Sequence, residues 1–139
     1  NDIFNLSSSS ASKTIVCLDG DGSLIMHLAS TAIQGVSNLS NFLHLVLNNG
    51  AHDSVGGQPT VAQKINLSQI AKNCGYKHVS KVSDSDQLVE KINEYKNYNE
   101  GPNLIEIIVC KGSRKDLGRP TKEPKKNKDD FMNFIQQSN

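Results

Sequence analysis

With 139 residues and a mass of 15.2 kDa, the chain is long enough for one hydrophobic core and short for two. Fifteen basic side chains against fourteen acidic ones leave a formal net charge of +1, so no bulk electrostatic attraction to nucleic acid or a membrane surface is expected. No apolar run approaches the roughly 20 residues that a bilayer span needs. The opening NDIFNLSSSSASK also has neither the basic start nor the apolar centre of a secretion signal.

In chain order, residues 1–12 are serine-rich and aperiodic and read as a flexible linker ahead of a single domain over 13–139. Residues 13–19 predict a buried strand with Ile15, Val16, Cys17 and Leu18 as its core. After DGDG, helical spacing over 23–35 places Leu24, Met26, Leu28, Ala32 and Ile33 on one element that glycine closes. FLHLVLN (42–48) is a second buried strand, followed by the long glycine-containing loop NGAHDSVGGQPT. A helix over 67–74, a strand over 78–82, a helix over 85–96 and a strand over 104–110 follow. A last helix over 126–136 carries Phe131, Phe134 and Ile135 as its apolar stripe. Strands alternating with helices predict an α/β fold, a three-layer parallel sheet with helices on both faces. In such sheets ligands sit at the carboxyl ends of strands. DGDG and NNG each follow a predicted strand directly, so neighbouring strands would bring Asp21 and Asn49 to one rim.

Cys17, Cys74 and Cys110 are too widely spaced for a zinc or redox pair. Cys17 and Cys110 lie in apolar runs and are expected to be reduced core residues of a cytoplasmic protein. The Asn-x-Ser triplets at Asn5, Asn38 and Asn66 carry little weight without a secretion signal. The basic stretch KGSRKDLGRPTKEPKKNK from Lys111 reads as solvated surface. His27 and His44, among apolar neighbours, are expected in the core, and His78 at the surface.

DGDG is the informative stretch, because a buried strand gains nothing from ending on glycine and carboxylate unless a partner compensates. Gly20 and Gly22 let backbone N–H groups approach an anion, and Asp21 can hold a cation that bridges to it. Asn49 offers a neutral oxygen, and a carbonyl in the following loop a third, a set that suits magnesium shared with a diphosphate. An EF-hand is excluded, since Leu24 stands where its glycine belongs and Ser30 where its closing glutamate belongs. No GxxxxGK[ST] occurs either. A plain strand-to-helix turn capped by Asp21 is the alternative.

GDG followed after 25 residues by NN resembles the signature of thiamine diphosphate enzymes. The resemblance implies the three-layer α/β fold of their diphosphate-binding domain. It also implies that Asp21, Asn49 and the Ala51 carbonyl hold Mg2+, with Gly20, Gly22 and Ser23 along the diphosphate. NNGAHDSVGGQPT, AKNCGY and DLGRPTKEP look like the phosphonopyruvate decarboxylase family, which converts 3-phosphonopyruvate to phosphonoacetaldehyde and carbon dioxide in phosphonate biosynthesis. Sulfopyruvate decarboxylases share a GxQPT-type loop and are the runner-up. The resemblance runs over about 14–135. It further implies a homo-oligomer, at least a dimer, and a small anionic 2-keto acid substrate. A pyrimidine-binding domain would supply the activating glutamate, and an apolar wedge would lie upstream of the GDG strand. Neither of the last two has a counterpart in these residues, and the chain begins with Asn. It is therefore read as the C-terminal part, or a small subunit, of a longer enzyme and as inactive alone.

His52 and Asp53 follow the proposed metal loop and are candidates for substrate contact or proton transfer, an exposed loop pair being the alternative. Ser54, Val55, Gly56 and Gly57 are expected to present N–H groups to the phosphonate or to form a lid, and Arg119 to pair bidentately with a dianion. A module that kept the fold and lost the cofactor is the competing class of function. Retention of both Asp21 and Asn49 speaks against it.

Overall fold

The structure, a computed structural model, describes residues 14–136. The linker assigned to 1–12 lies outside the described residues. Four parallel strands form one sheet in the order β1-β2-β6-β5, with β1 (Ile15–Gly20), β2 (Phe42–Asn48), β5 (His78–Val82) and β6 (Asn103–Ile108). Two short strands, β3 (Ala51–His52) and β4 (Gln58–Pro59), pair antiparallel within the loop after β2. The helices are α1 (Asp21–Met26), α2 (Leu28–Gly35), α3 (Leu67–Asn73), α4 (Ser85–Tyr95) and α5 (Pro124–Gln136).

Side chains alternate across the two faces of β2 and β6, so each face has its own core. Val46 and Leu104 join Leu24 of α1 and Leu67 and Ala71 of α3 on one face. Leu43, Ile105 and Ile107 join Val82 and Tyr95 on the other, with Leu88 and Ile92 of α4 packed against them. Leu88, Ile92 and Tyr95 recur at helical spacing, which gives α4 its buried stripe. Asn66 caps α3 by accepting from the Gln69 amide and Asp84 caps α4 by accepting from the Gln87 amide, each at 2.9 Å. Helices on both faces of a parallel sheet are the expected three-layer arrangement.

The structure departs from the sequence reading in several places. Among the described residues β1 lies at the edge of the sheet rather than buried, with Ile15, Val16 and Leu18 at 55, 54 and 66% exposure. The helix expected over 23–35 is two helices that meet at His27, where φ −117° and ψ 33° leave the helical region. His27 is accordingly exposed instead of lying in the core. Cys110 lies past the end of β6 and is exposed, and Cys17 is half-buried on the edge strand. The apolar stripe of α5 is also exposed, Phe131 and Phe134 most of all. His44 is buried as expected, whereas His78 is half-buried and stacks on Tyr98 at 3.8 Å between ring centroids.

Candidate cofactor site

β1 pairs directly with β2, Gly20 opposite Leu47, so DGDG and NNG leave the sheet side by side. Gly20 is the N-cap of α1, and Asp21 and Gly22 open the helix as buried residues. Asp21 is 1% exposed, and its Oδ2 accepts a hydrogen bond from the Thr60 hydroxyl. A carboxylate is otherwise costly to bury. Its second oxygen has no hydrogen-bond donor among the described residues, which leaves it for a cation. Gly22 lies under the His52 ring: a Cβ there would come within 2.5 Å of Nδ1 and Cε1 and 3.3 Å of the Thr60 methyl. Over Gly20 nothing stands within 4 Å of a would-be Cβ, so the turn is open on that side.

The loop after β2 is held by its own polar groups. Asn49 Oδ1 accepts from the Ala51 amide at 3.0 Å and its Nδ2 donates to Asp53 Oδ2 at 2.8 Å. An amide oxygen has two lone pairs, so one remains after the Ala51 bond. Asp53 Oδ2 also accepts from the Gly112 amide at 2.7 Å, tying the loop to the segment after β6. Thr60 N donates to the Gly50 carbonyl at 3.0 Å and thereby couples both halves of the rim, because the same residue grips Asp21.

The expected site residues separate into three groups. Gly20, Asp21, Gly22, Ser23, Asn49, Ala51 and His52 are brought to the carboxyl ends of β1 and β2. Asp53, Ser54, Val55 and Gly56 form an exposed turn beside them, and the Gly57 amide is engaged by the His52 carbonyl at 3.0 Å. Arg119 lies in the exposed connection between β6 and α5, and no hydrogen bond or ion pair among the described residues ties it to the rim. Sequence reasoning missed the parts played by Thr60, Asn48 and Glu106. A lone carboxylate inside the apolar run LIEIIV was the available signal for Glu106, since such a group must find partners.

These residues fit a magnesium–diphosphate group. Among the described residues no three His, Cys, Asp or Glu side chains gather for a metal. A cation at the rim would therefore draw on one carboxylate and neutral oxygens, a hard set that magnesium accepts when phosphate oxygens complete it. Gly20, over which nothing stands within 4 Å of a would-be Cβ, leaves the turn open to the backbone approach that an anion requires.

An open parallel sheet with such a rim is a ligand-binding α/β domain. The chain belongs to the family described as "Thiamine pyrophosphate enzyme, C-terminal TPP binding domain", whose model matches residues 6–107. It is 37% identical over 123 residues to a phosphonopyruvate decarboxylase of Streptomyces viridochromogenes, covering 88% of this chain and 31% of that protein. It is 38% identical over 112 residues to the phosphonopyruvate decarboxylase of Streptomyces hygroscopicus, covering 81% and 28%. With the sulfopyruvate decarboxylase subunit beta of Methanocaldococcus jannaschii it shares 34% identity over 99 residues, covering 70% of this chain and 50% of that one. The chain thus spans about a third of the length of the phosphonopyruvate decarboxylases it matches. The fold is similar to that of a putative thiamin diphosphate-dependent enzyme from Mycobacterium smegmatis, with a TM-score of 0.58 at 20% identity over 73% of this chain and 19% of that one. It is also similar to transketolase from Campylobacter jejuni, with a TM-score of 0.55 at 20% identity over 70% and 15%.

Proposed function

We propose that this chain is the cofactor-holding part of a thiamine diphosphate-dependent decarboxylase that takes 3-phosphonopyruvate to phosphonoacetaldehyde and carbon dioxide. The convergence of Asp21 with the 49–51 loop at adjoining strand ends carries the reading. The two Streptomyces relatives support the substrate. When bound, the cofactor supplies the electron sink that lets carbon dioxide leave a 2-keto acid. The chain's own residues bind and orient. Asp21, the Asn49 amide oxygen and the Ala51 carbonyl hold Mg2+, and Gly20, Gly22 and Ser23 line the diphosphate. His52, over Gly22, faces the substrate and is the group placed to hold or move a proton. Asp53, engaged by Asn49 and Gly112, keeps the loop closed. The amides of Ser54, Val55 and Gly56 meet the phosphonate, with Gly57 closing the turn and Arg119 as an exposed counter-charge.

The activating glutamate comes from a pyrimidine-binding domain, in an assembly of at least two copies in the cytoplasm. A sulfopyruvate decarboxylase subunit is the second reading, favoured by the Methanocaldococcus relative, of which this chain covers half.

Calorimetric titration of the full-length enzyme with thiamine diphosphate and Mg2+ tests the assignment. Asp21→Ala, which removes the one charged ligand of the set, is expected to weaken Mg2+-dependent cofactor binding by about 100-fold or more, beyond the loss typical of an outer-shell partner. Unchanged affinity would remove the metal assignment.

A further inference from the structure

Glu106 is 1% exposed in β6, flanked on both sides by Leu and Ile residues. Three donors surround its carboxylate. Ser68 Oγ at the start of α3 donates to Oε2 at 2.5 Å, Asn48 Nδ2 donates to Oε1 at 2.7 Å, and Lys81 Nζ stands 3.2 Å from Oε1. Burial pushes the carboxyl pKa up, but the bonds from Ser68, Asn48 and Lys81 outweigh it and hold the group below its ordinary value, hence ionised near neutral pH.

Of these donors, Asn48 leads to the site. Its Nδ2 faces the carboxylate, so its Oδ1 is turned the other way, where it accepts from the Gly50 amide at 3.1 Å. The orientation is enforced, because a flipped amide would set an oxygen against Glu106 and an NH2 against the Gly50 N–H. Gly50 has φ +67°, in the left-handed region that favours glycine, so the loop turns there between Asn49 and Ala51. Gly50 also separates Asn49 from Ala51, whose oxygens are two of the three proposed Mg2+ ligands. Its carbonyl is gripped by the Thr60 amide, while the Thr60 hydroxyl grips Asp21.

We infer that Glu106 is a positioning residue for the cation loop: through Asn48 and Gly50 it sets the Asn49 amide oxygen and the Ala51 carbonyl against Asp21. This explains why the loop opens with two asparagines. The second offers its oxygen to the cation, and the first transmits the anchor of the adjacent strand, β6. The inference rests on the Mg2+ reading proposed above.

Mg2+ titrated into the full-length enzyme at saturating thiamine diphosphate, followed by calorimetry with Tm measured in parallel, tests it. Glu106→Ala is expected to raise the Mg2+ Kd by about 10-fold or more, the loss typical of a partner that orients a metal ligand. Glu106→Gln, which can still accept from Asn48, should recover most of that loss. Tyr76→Phe, which removes the part-buried hydrogen bond to Gln34 on the same sheet face away from the loop, should lower Tm and leave the Kd unchanged. Should Glu106→Ala fail to fold, Asn48→Ala breaks the same link while leaving Glu106 with Ser68 and Lys81, and the same rise in Kd is expected. A wild-type Kd in a folded Glu106→Ala or Asn48→Ala protein, or an equal rise in Tyr76→Phe, overturns the inference. If Asp21→Ala also leaves the Kd unchanged, the Mg2+ reading itself has failed.

Discussion

His44 is a buried titratable side chain away from the rim. Its Nδ1 lies 3.1 Å from the Tyr76 hydroxyl, and that hydroxyl donates to Gln34 Oε1 at 2.6 Å. A tyrosine has one proton to give, so Nδ1 must be the donor and Nε2 carries a lone pair. Nε2 has no hydrogen-bond partner among the described residues, and Asp19 Oδ2 stands 3.7 Å away, beyond hydrogen-bond reach. Burial lowers the His44 pKa below its ordinary 6.5, and the nearby Asp19 carboxylate, which favours protonation, only partly opposes this. Below pH 6.5 the unfolded chain therefore binds more protons at this site than the native one. Neutral His44 contributes its full stability above 6.5, and that contribution is lost as pH falls through the lower native value. Glu106, also depressed, adds its loss only below the carboxylate range. Between pH 7.5 and 5.5 the Tm should fall, and the fall should be smaller in His44→Gln. An equal slope in the variant would assign the pH dependence elsewhere.

At the scale of elements, the strands were more legible than the helices. β2 and β5 have the boundaries expected from FLHLVLN and HVSKV, because short apolar or β-branched runs with polar ends leave few alternatives. The break at His27 was not legible, since Leu28, Ala32 and Ile33 continue the spacing of Leu24 across it. Gly35 was read as a helix stop, and α2 does end there, but the structure adds a second reason for glycine. A Cβ on Gly35 would lie 1.9 Å from the Cys74 carbonyl oxygen, so the ends of α2 and α3 abut backbone to backbone. Gly75, at φ +108°, completes the contact from the α3 side. Gly35→Ala should therefore destabilise the fold by about 3 kcal/mol, at the upper end of overpacking costs because a carbonyl has no rotamer to escape into. Urea unfolding measures this as a lower midpoint. Gly118→Ala, where nothing stands within 4 Å, is the comparison expected to be near neutral, and equal midpoints for the two would refute the contact.

For the whole molecule, the open question is which acid the complete enzyme prefers. Phosphonate and sulfonate are similar in size, but near neutral pH a phosphonate carries up to one more negative charge. A closed pocket must answer that charge with donors or a cation. His52 is the side chain of the proposed substrate set that the structure puts against the DGDG turn. Full-length enzyme should use phosphonopyruvate with higher kcat/KM than sulfopyruvate. His52→Ala should narrow that preference more than it weakens cofactor binding. Equal use of both acids by the wild type, or a variant that loses only cofactor affinity, would sink the substrate assignment.

The sequence by itself determined the alternation of strands and helices, the parallel sheet and the rim at which DGDG and NNG end their strands. Each of those signals is local, an apolar run of strand length followed at once by residues that no core accepts. Tertiary structure alone decided that β1 lies at the sheet edge among the described residues, because a strand covered on both faces and one left open read as the same apolar run. It alone joined Thr60 to Asp21 and Glu106 to Asn48, pairs 39 and 58 residues apart. No periodicity encodes such partners. They are chosen when folding brings a buried carboxylate to the nearest donor, and the energetic penalty of leaving it unpaired holds them there.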